Sequence, residues 1–227
     1  MDILHTFYIQ LGNYISILPL IIGLVRIRKL NPAFLFLLLM IACETAVAVY
    51  SKWQATQGIN NIPSLHLMTF LEMLFGGAFF YLTLTTAKLK KTLFFLATSF
   101  LFYTAFNSLF IQSIEKYNQI PRTLEGYLFV VFCFFFFYEL LIKPDLIKLS
   151  KSAEFWTVIG FFTYFGTTQF VHLFSDYTSE HYNSFHKALR GLNRAMIIVY
   201  YSIFTIALLM ENKKNSLANK SNRFPIK

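Results

Sequence analysis

The sequence predicts an all-α polytopic integral membrane protein, a seven-transmembrane-helix bundle, and three observations predict it. Seven apolar stretches of about 20 residues are each long enough to cross a hydrocarbon core of roughly 30 Å. The 227 residues are 56% hydrophobic and only 14% charged, with a mean hydropathy of +0.53, too few charges to cover a water-soluble domain of this size. The Lys and Arg residues gather between alternate apolar runs, where they set topology.

The first span, about 7–27, follows Met1-Asp2-Ile3-Leu4-His5, which lacks the basic region and small-residue cleavage site of a signal peptide, so it is expected to remain as a helix. Pro19 predicts a kink within it. The second span, about 33–52, carries Glu44 past its midpoint. The third, about 64–86, opens with His66, Thr69 and Glu72 and contains Gly76-Gly77, a close-packing point. The fourth, about 92–113, ends with Tyr103 and Asn107. The fifth, about 123–143, begins with Glu125, runs through Phe134-Phe135-Phe136-Phe137, read as a lipid-facing or packing surface, and ends with Glu139, expected to pair with Lys143 one turn on. The sixth, about 154–175, ends with Gln169 and His172. The seventh, about 185–210, begins with His186, Arg190, Asn193 and Arg194. These spans make one domain, 1–212, followed at 213–227 by a tail rich in Asn, Lys and Ser that is expected to be disordered, basic and cytoplasmic.

Arg26-Ile27-Arg28-Lys29, Lys88-Leu89-Lys90-Lys91, the connection from Lys143 to Lys151 and the tail hold most of the positive charge. The positive-inside rule then puts the N-terminus outside and the C-terminus in the cytoplasm of a multi-pass protein of the cell inner membrane. The net charge of +9 lies in short clusters, which favours contact with anionic lipid over nucleic acid. Cys43 and Cys133, both inside apolar segments, read as packing groups and not as a disulfide.

Ranked by depth, the polar residues of the spans fall in the outer half. A charge near mid-bilayer costs at least about 2.5 kcal/mol, so Glu44, Glu72 and Arg194 should face the interior and find partners there. An acidic pair, Glu44 and Glu72, answered by Arg190 and Arg194 is the expected arrangement. The candidate ligand-binding set is Glu44, His66, Glu72, Asn107, Glu125, Gln169, His172, His186, Arg190, Asn193 and Arg194. The plainer reading makes the Asn, Gln and Tyr members interhelical hydrogen-bonding groups worth about 0.6 kcal/mol each. All five histidines fall on the outer side. No HExxH or HxxxH spacing occurs, and no cofactor is expected. Should a metal bind, zinc held by His66, His172 and His186 is the arrangement weighed.

The chain resembles small uncharacterised bacterial seven-helix inner-membrane proteins, through "HLMTFLEMLF" with His66 and Glu72 in the third span and "HKALRGLNRAM" at the head of the seventh. The resemblance implies a seven-helix fold and carries no function. The topology is also similar to that of seven-helix receptors and of alkaline ceramidase-like hydrolases, which hold zinc through a histidine pair on the last helix. Here His186 has no second histidine after it. SWEET-like carriers share the orientation, but their proline-glutamine signature is missing.

A sensory or ligand-binding role fits this pattern better than an enzymatic one. A small polar or anionic ligand would enter the outer-half pocket from outside and signal to a cytoplasmic partner through the basic loops. A small-solute or proton-coupled transporter using Glu44 and Glu72 is the first alternative, and an intramembrane metal-dependent lipid hydrolase the second. The partners expected are the lipid bilayer, that ligand and the signalling protein, with no nucleic acid.

Overall fold

A computed structural model describes residues 3–142, 149–181 and 183–212, and every regular element among the described residues is helical. The first predicted span is divided into α1 (Ile3–Tyr14) and α2 (Ile17–Val25). Pro19 explains the division. It has no N–H for the Ile15 carbonyl, which takes the Leu18 N–H at 3.1 Å instead and tightens the chain at Ile15–Ser16. α3 (Pro32–Thr56) starts at Asn31, whose Oδ1 accepts the Phe34 N–H at 3.1 Å, with Pro32 at a first-turn position where its missing N–H removes no bond.

α4 (Ile62–Thr83), α5 (Ala87–Phe106), α6 (Gln119–Ile142), α7 (Ala153–His181) and α8 (Asn183–Met210) follow, and α5 runs on into one wide π turn at Asn107–Ile111. Among the described residues six segments are long and apolar enough to cross a membrane: Tyr8–Val25, Pro32–Thr56, Ile62–Thr83, Ala87–Ile111, Gln119–Ile142 and Lys187–Met210. The protein is therefore multi-pass. The predicted span at 154–175 lies inside α7, which has 29 residues but is diluted by Thr157, Thr163, Thr167, Thr168 and Gln169. Hydroxyls at this depth are satisfied locally. Those of Thr45, Thr83, Thr157, Thr168 and Thr205 each donate to the carbonyl four residues back at 2.7 to 2.9 Å.

α7 packs between α6 and α8, α4 is flanked by α3, α5 and α6, and α1 and α2 lie against α8 at the edge. The half nearest Arg26–Lys29 and Lys88–Lys91, here the basic end, is filled with rings. Phe161 of α7 sits 5.0 Å from Phe80, 6.0 Å from Phe79, 5.1 Å from Phe129 and 5.2 Å from Phe204 between centroids, and all five are fully buried. Gly76 lets the Phe129 ring approach α4, since a Cβ there would stand 2.7 Å from its edge. The phenylalanine run divides as its helical phase requires, with Phe134 at 56% exposure and Phe136 buried.

Two polar contacts close the basic end. Arg26 donates to the carbonyls of Leu208 (3.1 Å) and Glu211 (2.8 Å), capping the end of α8. Glu139 differs from expectation. Its partner by sequence, Lys143, lies outside the described residues, and its carboxylate accepts the Thr85 and Thr86 N–H groups and the Thr85 hydroxyl where α5 begins. An anion at a helix N-terminus meets both unpaired donors and the positive end of the dipole.

Other boundaries move too. α5 starts at Ala87 and not near 92, and α6 starts at Gln119 and not near 123. The connection expected from Ser175 to Ser184 is helical to His181 and again from Asn183. Apolar content marks the hydrocarbon limits, whereas helices run beyond them. The tail expected at 213–227 lies outside the described residues.

Candidate functional site

Ionisable side chains of three helices meet near mid-bundle. Glu44 is twelve residues from either end of α3 and Glu72 ten residues into α4, about 18 and 15 Å of helix. Both are buried, as is Glu125 of α6. The cation bonded to Glu72 and Glu125 is Arg122, three residues into α6. Its Nη1 donates to Glu72 Oε2 and to Glu125 Oε2 (2.8 Å), and its Nη2 faces Glu72 Oε1 and the Tyr164 hydroxyl, each at 3.4 Å. The Tyr201 hydroxyl donates to Glu44 Oε2 at 2.7 Å. Glu44 and Glu125 both interact with the Glu72 carboxyl.

The loop ahead of α6 delivers Arg122 to this place. Asn118, 1% exposed, donates from Nδ2 to Thr69 Oγ1 at 2.9 Å and so pins the first turn of α6 onto α4. His66 ties the same region together, with Nδ1 2.9 Å from the Ser108 hydroxyl and Nε2 2.9 Å from the Lys116 carbonyl. A carbonyl only accepts, so Nε2 carries the hydrogen and Nδ1 accepts from Ser108. Asn107 donates to Gln112 Oε1 at 3.2 Å, and Gln112 donates to the Tyr117 carbonyl at 2.6 Å. His66 and Asn107 thus shape the support of the cluster and stand outside it.

The remaining candidates are dispersed. Gln169 of α7 is buried with its amide packed on Gly126 of α6, where a side chain would overlap it, and neither amide atom has a partner among the described residues. Asn193 is partly buried with Oδ1 unpartnered among the described residues. Arg190 is exposed, and the stem of half-buried Arg194 crosses Gly12 of α1. The expected pairing of Glu44 and Glu72 with Arg190 and Arg194 is therefore replaced: Glu72 pairs with Arg122, and Glu44 accepts from the Tyr201 hydroxyl. The reason is depth: the two arginines precede Tyr201, the partner of Glu44, by eleven and seven residues, about 16 and 10 Å along α8. His172 and His186 lie on α7 and α8, and their side chains are outside the described residues. Among the described residues no group of three His, Cys, Asp or Glu side chains is placed to hold a metal ion.

A cavity of about 460 Å³ leads to the cluster, and Ser16, Lys52, Met68, Glu72, Tyr164 and Tyr200 mark its walls. It runs from exposed Lys52, at the end away from the basic loops, to buried Glu72 and Tyr200. Three phenol rings form its floor, with centroids 4.6 Å apart for Tyr164–Tyr200 and 5.1 Å for Tyr200–Tyr201. At the mouth the Lys52 ammonium donates to the Tyr14 hydroxyl at 2.6 Å and lies 4.4 Å above that ring.

Three carboxyl groups share one guanidinium. If all were ionised, two negative charges would be left inside a bundle surrounded by hydrocarbon, a cost that protons or a bound cation must remove. Glu44 Oε1 and Glu125 Oε1 accept no hydrogen bond among the described residues, and both residues are buried behind Glu72, the carboxylate that lines the hollow. The arrangement suits exchange of protons or cations at the floor of a hollow.

Neither models of protein families, nor curated proteins, nor solved structures give a match to this chain.

Proposed function

We propose that the protein is a ligand-binding sensor of the cell inner membrane, with the pocket open to the extracytoplasmic side. In this reading α7 crosses as well, giving seven crossings with the N-terminus outside and the C-terminus in the cytoplasm. The low hydropathy of α7 is what a helix flanked by α6 and α8 can carry, because little of it needs to face lipid. The positive charge at Arg26–Lys29 and Lys88–Lys91 supports the orientation.

The observation that carries the reading is the hollow of about 460 Å³ that ends on Glu72, Tyr164, Tyr200 and Tyr201. A bundle needing polar groups only as glue has no use for a space of the size that small-molecule sites occupy. A ligand touching Tyr200 and Tyr201 acts directly on α8, whose far end is held by Arg26 beside the basic loop. That gives a route from pocket to a cytoplasmic signalling partner.

Thiol labelling tests the pocket. In a Cys43→Ala/Cys133→Ala background, Ser16→Cys and Ala48→Cys should react with a membrane-impermeant thiosulfonate added to spheroplasts, and Phe161→Cys should not. Equal labelling at Phe161→Cys, or none at the other two, removes the outward pocket.

One observation favours a second reading, a proton-coupled transporter: the three-to-one ratio of carboxyls to guanidinium. Such a cycle has to open the ring-packed half around Phe161, and it predicts labelling of Phe161→Cys from the cytoplasmic side in inverted vesicles once a proton gradient is applied.

A further inference from the structure

We infer that the pocket takes a small zwitterion with an apolar spacer, its ammonium group on the Glu72 floor and its anionic group beneath Lys52; this rests on the ligand-binding reading above. The floor is built for a cation. Glu72 reaches the cavity beside Tyr164, Tyr200 and Tyr201, and with Glu44 and Glu125 buried behind it the floor sets three carboxyl groups against the single guanidinium of Arg122. Carboxylate oxygens backed by aromatic faces attract ammonium groups and repel anions.

The rim has the opposite sign. Lys52 lines the cavity and bonds to the neutral Tyr14 hydroxyl, with no carboxylate partner among the described residues. Arg194 lies over Gly12, another wall residue, and likewise has no carboxylate partner among the described residues. An anion entering between them meets two cations that have no counter-ion among the described residues.

Spacing selects within the class. Arg194 is seven residues before Tyr201 on α8, so the backbone separation from rim to floor is about 10 Å. Even after the side chains reach inward, charges set several methylene groups apart fit this span better than those of an α-amino acid. Between rim and floor the wall is apolar, with Val47, Met68 and Ile197, which suits a methylene spacer.

The test uses the full chain with Ala48→Cys in the Cys43→Ala/Cys133→Ala background, in bilayers of phosphatidylglycerol alone so that no lipid brings an ammonium group. The rate of thiosulfonate labelling is read against 6-aminohexanoate, n-butylamine and butyrate. The expected result is protection by 6-aminohexanoate at concentrations about tenfold below those needed for n-butylamine, the worth of one charge-assisted contact, and none by butyrate. Lys52→Gln, a change at an exposed position, should erase that tenfold advantage and leave n-butylamine unchanged. Glu72→Gln should weaken protection by both amines. Butyrate protecting as well as 6-aminohexanoate, an advantage that survives Lys52→Gln, or normal labelling with no protection by any of the three overturns the zwitterion. Failure of Ala48→Cys to label at all overturns the pocket itself.

Discussion

Along α4, Glu72 meets Arg122, and eight residues later Phe80 meets Phe161, about 12 Å further down the same helix. The two neighbourhoods are both buried, yet they tolerate change differently. Rings around Phe161 share their contacts among many partners, so each gives up part of a collective dispersion energy. Glu72, Glu125 and Arg122 depend on one another by charge, and removal of one exposes the rest. Around Phe161 the contacts of α4, α6, α7 and α8 are made by rings alone, whereas around Glu72 they are made by charges.

Arg122→Ala should break the comparison most severely, stranding two carboxylates at a loss of about 3 to 5 kcal/mol in thermal unfolding of the purified protein. Adding Glu72→Gln and Glu125→Gln should restore most of the loss, and no restoration would mean that packing of the arginine stem, not charge, dominates. Phe161→Ala should cost about 3 kcal/mol, with lost contacts in place of water transfer supplying most of it. Its effect should be unchanged in the triple variant if the two halves are independent. At the border, Gly76→Ala should cost about 2 kcal/mol, because the ring it meets, Phe129, is wedged among Phe80, Phe132 and Phe165 and cannot retreat. Glu139→Gln, which weakens the acceptor for Thr85 and Thr86, should cost about 1 kcal/mol. A loss from Glu139→Gln as large as that from Arg122→Ala would erase the distinction between a surface-level cap and a buried charge.

Hydropathy was enough to read most of the architecture, because lipid demands long apolar helices and the sequence advertises them. It dimmed at α7, whose threonines are acceptable where protein replaces lipid as the neighbour. Glu44 and Glu72 were legible as groups that must turn inward, and Glu125 as a member of the candidate set. Their cation was not. Arg122 follows Pro121 and precedes the apolar run, and so reads as a connection, although its three-residue spacing to Glu125 was a usable signal once α6 is started at Gln119. The partner of Glu139 was beyond local reading, since Thr85 is 54 residues away and offers its backbone and its hydroxyl. The cavity was equally hidden, for hollows are made by the fit of helices and no single helix encodes one.

The interruption at Ile15–Ser16 has a mechanical consequence. Below it α2 is seated against α3, with Leu38 filling the space over Gly23, while above it α1 is held by Tyr8 to the Gly191 carbonyl and by Tyr14 to Lys52. A straight peripheral helix would pass any change in bilayer thickness to its whole length as tilt. A jointed one bends at Pro19's missing bond, so thinner or thicker lipid is absorbed at the edge and the charges at mid-depth keep their register.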